Sequence, residues 1–233
     1  SYENPSSNNI SISFWVRLDD ASNNGRIIDA NGVIIETLNA THIRILLTDA
    51  PGDSSEYKFS RPSAGHWNHY TVIIDTTNVD TTPIVYKNGQ SITVTPDALD
   101  GTGAARDLTY IYIGDANSAS GLYELQGSLQ DFVIWNTGLN SEDASILYNS
   151  GSWLNIHSHP SASSIWDWWA LSGSTVGSNL STNSISSFPP TIGRHTLSLD
   201  TNAGAEVFVI DGVYIDPKTA GVWANSLTTN IEA

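Results

Sequence analysis

Apolar and polar residues alternate with a period of two through most of this chain, the pattern of strands that turn one face to a core. In NISISFWVRLDD, Ile10, Ile12, Phe14, Val16 and Leu18 share one face, while Ser11, Ser13, Trp15 and Arg17 share the other. That spacing predicts a sandwich strand with a mostly polar exterior. GRIIDANGVIIETL offers two apolar runs around a DANG turn, THIRILLTD a further strand, and HWNHYTVIIDTT another, apolar from Tyr70 to Ile74. IVYKNGQSITV predicts a hairpin with Asn88-Gly89 at its tip, a pair that supplies the positive φ angles of a type I′ turn. EVFVIDGVYID repeats the device with Asp211-Gly212. Such tight connections predict antiparallel pairing, because parallel neighbours need long crossovers. Only SEDASILYNSG reads as a helix: Asn140 or Ser141 can cap it, Glu142 and Asp143 suit its positive end, and Gly151 can close it. The expected fold is all-β, an antiparallel β-sandwich with one short helix.

Composition narrows the function classes. The 233 residues carry 24 Asp and Glu against 9 Lys and Arg, a formal net charge of −15. Nucleic-acid binding is disfavoured, since neutralising phosphates needs clustered Lys and Arg. An anionic membrane surface is disfavoured for the same reason. No apolar run is long enough for a transmembrane helix. Cys is absent, which removes disulfides and thiolate metal sites, and Met is absent as well. With no initiator and no signal-peptide pattern, the chain reads as a processed protein or a segment of a longer one. The polar stretch 154–164, which contains Pro160, is the best boundary; it divides residues 1–155, the sandwich, from 156–233, a C-terminal β extension that completes the sandwich or mediates assembly.

Several separated motifs then line up with one family. SISFWVRLDD, GHWNHYTVIID, IVYKNGQSI, LTYIYIGD and YELQGSLQDFVIWNTGLNSEDASILYNSG resemble, in order, the strands, Asn-Gly hairpin and terminal helix of laminin-G-like, concanavalin-A-like jelly-roll domains. The resemblance covers roughly residues 10–151. HSHPSASSIWDWWALSGS resembles a Trp-Trp-containing strand of laminin-G-like proteins in bacteriophage virions. The family implies a jelly roll that binds rather than catalyses, often with one Ca²⁺ at the sandwich rim.

Candidate chemistry follows from residue types. Ca²⁺ takes six to eight oxygens from turns; PDALDGTGAARD places Asp97, Asp100 and Asp107 around a Gly-rich loop, and GDANSASGLYE places Asp115 and Asn117, with Glu124, in the next. DAPGDSSE offers Asp49, Asp53 and Glu56. Solvated turn acids are the competing reading. Aromatic rings can stack on the apolar face of a pyranose, and Trp153, Trp166, Trp168 and Trp169, with Tyr123, are the ligand candidates; packing competes there too. Trp15, Trp67 and Trp135 lie in strong strands and read as packing residues. His66 with His69, and His157 with His159, have metal-like spacings but no evident further ligand. A glucanase on this fold would carry paired carboxylates as E-x-D-x-x-E; no Glu begins that pattern, and Asp131 is a lone acid in a strand.

The function expected from the sequence is therefore a non-catalytic binding or structural module, extracellular or on a virion surface. Its partners would be glycans or other surface or virion proteins, within a homo-oligomer or larger assembly such as a phage fibre or capsid decoration. The alternative is a carbohydrate-active enzyme of glucanase type.

Overall fold

A computed structural model describes residues 6–19, 25–49, 51–106, 108, 110–114, 123, 125–152 and 154–169, with the backbones of 187–188, 192–193, 197–200, 207–210 and 213–215. The strands are β1 (Asn9–Leu18), β2 (Arg26–Ala30), β3 (Val33–Thr37), β4 (His42–Thr48), β5 (Ser54–Ser60), β6 (Trp67–Asp75), β7 (Ile84–Lys87), β8 (Gln90–Ile92), β9 (Thr95–Leu99), β10 (Ile111–Ile113) and β11 (Gly127–Trp135). Helix α1 (Ser141–Tyr148) follows, then β12 (Ile165–Trp169), β13 (Ser187–Phe188), β14 (Ile192–Gly193), β15 (Leu197–Asp200), β16 (Val207–Ile210) and β17 (Val213–Ile215). One sheet runs β14-β12-β11-β1-β6-β7-β8 and the other β13-β15-β16-β17-β10-β2-β3-β4-β5-β9. Pairing is antiparallel as expected, except that β17 lies parallel to β10, with Ile111 opposite Val213. A parallel neighbour is possible there because a long connection separates the two strands.

The alternation seen in the sequence builds the layer between the sheets. Ile10, Ile12, Phe14, Val16 and Leu18 of β1 all enter it, with Tyr70, Val72 and Ile74 of β6 and Leu129, Phe132 and Ile134 of β11. Phe14 stacks between Tyr70 and Phe132, at centroid distances of 5.9 and 6.0 Å. At the β7–β8 hairpin Asn88 and Gly89 take φ of 51° and 75°, the conformation a type I′ turn requires.

The other face of β1 corrects the expected polar exterior. Ser11, Ser13 and Trp15 are buried, because α1 and the short 3₁₀ turn at 156–158 form a cover over this side of the sheet. Ala144 packs on Ile73 and Tyr86, and Tyr148 on Trp15 and Trp67. Leu139, Leu147 and Ile156 join Val133, Trp135 and Trp168 in a second apolar cluster. The serines survive burial through bonds to the cover: Ser11 Oγ donates to the Thr137 carbonyl at 2.8 Å and accepts from Leu139 N–H at 2.9 Å. Ser13 Oγ accepts from Trp135 Nε1 at 2.9 Å. Trp15, Trp67 and Trp135 are packing residues, but of this outer layer rather than of the layer between the sheets.

Asn140 caps α1, accepting from the amides of Glu142 and Asp143, while Asp143 accepts from Asn140 N–H in return. The helix closes earlier than expected. Asn149, at φ 46°, takes the left-handed position assigned from sequence to Gly151, and Asn is the commonest substitute for Gly there. Gly151 ends the following turn instead.

Candidate ligand-binding rim

One end of the sandwich gathers the start of β1, the end of β6, the β2–β3 turn, Asp49 with residues 51–53, the turn 100–106, the residue after β11 and the entry to β12. A run of hydrogen bonds crosses it. Asn136 N–H donates to the Ser164 carbonyl at 2.7 Å, and Asn136 Oδ1 accepts from Ser7 N–H at 2.8 Å. The Ser7 carbonyl accepts from Thr76 Oγ1 at 3.1 Å, and the Thr76 carbonyl from Ala105 N–H at 2.9 Å. These hydrogen bonds fix the loops to one another.

Two recesses open along this line. The first, about 230 Å³, has Ile10, Val33 and Leu108 beside Ser6, Ser7, Asn8, Thr76 and Arg106. The second, about 420 Å³ and shallow, is formed by Asn136, Ser163, Ser164, Ile165 and Trp166. Asn136 belongs to the second and bonds Ser6 and Ser7 of the first, so the recesses adjoin. Together they offer an indole, a small apolar floor, hydroxyls, amides and one guanidinium.

Buried or bonded acids shape the rim. Asp49 is fully buried; Oδ1 accepts from the amides of Gly52 and Asp53, each at 2.9 Å, and Oδ2 from Thr102 N–H at 3.0 Å. The Thr102 bond, aided by the other two amides and the Arg106 guanidinium, outweighs desolvation and holds this carboxyl below the usual range. Asp75 at the end of β6 behaves alike: desolvation would raise it, but hydrogen bonds from Thr77 and Thr81 prevail and lower it. Gly32 is required here, since a Cβ on it would fall 2.2 Å from the Arg106 carbonyl oxygen.

The residues singled out from sequence scatter. Trp166 stands at the rim, half-buried against the core. Trp168, two positions on, is buried in the outer layer, donating Nε1–H to Asp131 Oδ1 at 3.2 Å; no ring face is left for a sugar, so packing is its role. Asp131 reaches that indole because a bulge in β11 gives it φ 48°. Tyr123 lines neither recess; its ring lies 4.9 Å from the Arg26 guanidinium. Trp153 and the side chain of Trp169 lie outside the described residues. Of the calcium candidates, Asp97 pairs with Lys58 and Asp100 is exposed; Asp107, Asp115 and Asn117 lie outside the described residues. Among the described residues no three His, Cys, Asp or Glu side chains converge as a metal site would need. Asp49 spends its carboxylate on backbone amides, and Glu56 bonds Arg44 at 3.0 Å. His159 accepts from Ser161 N–H and meets the Asp143 carbonyl, a structural pairing.

Arg106, Ser6–Asn8, Asn136, Ser163 and Ser164 escaped the sequence reading. Their one shared signal is a place at strand ends or in turns, and nothing local shows which turns meet.

The family model of the concanavalin A-like lectin/glucanases superfamily matches residues 2–145, and the chain belongs to that superfamily. No curated protein matches the sequence. Among solved structures, a protein of Bacteroides ovatus proposed to bind carbohydrate is similar at 15% identity and a TM-score of 0.55, over 80% of this chain and 50% of that one. The receptor binding domain of botulinum neurotoxin mosaic serotype C/D is similar at 17% identity and a TM-score of 0.44, over 64% of this chain and 37% of that one. The chain thus spans half the length of the Bacteroides protein or less of the toxin domain. At such identities the likeness is one of fold.

Proposed function

We propose that this chain is a non-catalytic carbohydrate-recognition module whose ligand seats in the rim recesses. The observation that carries the reading is Trp166 beside Asn136, Ser163 and Ser164 in one open recess, joined through Asn136 to a second, hydroxyl-lined one. A pyranose has an apolar face for the indole and hydroxyls for amides and side-chain oxygens, and this mixture of few polar groups around apolar surface is how small ligands are held. Membership of a superfamily of lectins and glucanases agrees with it. The alternative, a glucanase, finds less support. Glu36 and Glu56 both bond Arg44, and Glu36 also meets Arg26 at 3.0 Å, so these carboxylates serve an ion network rather than a scissile bond. On composition and the resemblance to virion proteins, we place the module outside the cell or on a virion surface, within a larger assembly. Light scattering with calcium and with chelator tests both assembly and metal dependence.

The test of the reading is a glycan array followed by calorimetry on the wild type, Trp166→Ala and Trp166→Phe. The expected result is binding by the wild type, a loss of about tenfold or more in the alanine variant, and partial retention in the phenylalanine variant. Circular dichroism confirms that both variants fold. No bound glycan, or equal affinity in the alanine variant, would sink the proposal.

A further inference from the structure

We infer that this rim selects by charge, taking uncharged glycans and rejecting acidic ones; the inference rests on the carbohydrate reading above. The second recess is formed by neutral residues throughout, and the first has a single charged one, Arg106. That guanidinium lines the recess but is shared with the turn that Asp49 closes: Arg106 Nη2 would lie 3.0 Å from a Cβ on Gly52, and its charge adds the smallest contribution to lowering the Asp49 carboxyl.

Around it the balance is negative. The rim turns 49–53, 75–81 and 100–106 carry Asp49, Asp53, Asp75, Asp80 and Asp100, against Arg106 as their one cation. Hydrogen bonds to Asp49 and Asp75 stabilise the ionised forms, so these two charges persist well below neutral pH. Asp53 and Asp100 are exposed. The chain as a whole has a formal charge of −15, so the far field has the same sign as the near one. A carboxylate-bearing glycan must bring its charge into this field, where the one cation, Arg106, is already shared with the Asp49 turn. An uncharged glycan meets hydroxyls, amides and an indole and is indifferent to the field. Like charges brought together at an interface oppose association, and the effect is largest where salt does not screen it.

The experiment compares neutral oligosaccharides with the same oligosaccharides capped by a sialic or uronic acid, in chelator-containing buffer, at about 10 mM and about 500 mM salt, where screening lengths differ several-fold. The expected result is that a neutral member binds and its acidic partner binds at least about tenfold more weakly at low salt, with the gap closing to about twofold at high salt. In the variant Asp53→Asn/Asp100→Asn, which changes neither recess, the low-salt gap narrows while neutral affinity stays unchanged. Equal or tighter binding of the acidic partner at low salt overturns the charge selection. So does a gap that ignores both salt and the double variant, because that gap would be steric. Absence of binding by both partners at every salt overturns the carbohydrate reading itself, which separates the two failures.

Discussion

Acidification should destabilise this protein through His69, and the size of the effect can be worked out. His69 sits on β6 beneath the cover, 3% exposed, its ring edge-on to Trp15 at 5.1 Å. Its backbone is tied to Asn88 in both directions, at 2.9 and 2.8 Å. Nδ1 has no hydrogen-bond partner. Desolvation, with a smaller contribution from the nearby His159, lowers its pKa from 6.5 to about 3. The unfolded chain therefore takes up a proton below pH 6.5 that the folded one refuses, and stability falls with pH across the window from 6.5 to about 3. At 1.36 kcal/mol per pH unit, the loss between pH 7.5 and 5 is about 2 kcal/mol, approaching about 5 kcal/mol below pH 3. That is a large share of the ~5–15 kcal/mol that holds a typical domain. Urea unfolding followed by tryptophan fluorescence at pH 7.5, 6.5, 5.5 and 5 measures it. His69→Phe keeps a ring against Trp15 and removes the proton site, so its loss over the same range should be smaller by about 2 kcal/mol at an unchanged m-value. Equal losses in variant and wild type, or an imidazole of His69 that titrates near its ordinary value by NMR in the folded protein, would refute the reasoning.

Four further outcomes follow from local geometry. Gly127→Ala puts a Cβ 2.3 Å from the Arg17 carbonyl oxygen and should cost about 3 kcal/mol or more in urea unfolding, whereas Gly103→Ala meets nothing within 4 Å and should change little. Asn140→Ala removes the side-chain oxygen that accepts from two amides at the start of α1 and should cost about 1 kcal/mol, with faster hydrogen exchange at Glu142 and Asp143 as the local readout. Glu36→Gln leaves Arg26 and Arg44 short of a buried counter-charge and should cost about 2 kcal/mol, less than a fully buried pair because Arg44 is partly exposed. Lys58→Ala, which breaks the more exposed pair with Asp97, should cost less than about 1 kcal/mol in the same assay.

Period-two alternation by itself determined the inward faces of β1 and β6 and the β7–β8 hairpin, because side chains on a strand alternate and Asn-Gly admits one turn type. The Asn-capped helix start was equally legible: a cap is a matter of neighbouring residues and their own amides. Local pattern does not encode what covers a sheet's second face. Ser11, Ser13 and Trp15 look like an exterior in the sequence and are buried because α1 and the turns after it, some 130 residues downstream, close over them. A place in the loop-rich later region likewise separated four tryptophans as ligand candidates but could not say that Trp168 would turn into the outer layer while Trp166 reached the rim. A register shift between β11 and β12 beside Trp135 decides that, and it depends on pairing rather than on the residues alone. The rim itself was least legible of all. Its walls come from residues 6–8, 76, 104–106, 108, 136 and 163–166, each an ordinary strand end or turn, and only closure of the two sheets brings them within hydrogen-bonding distance.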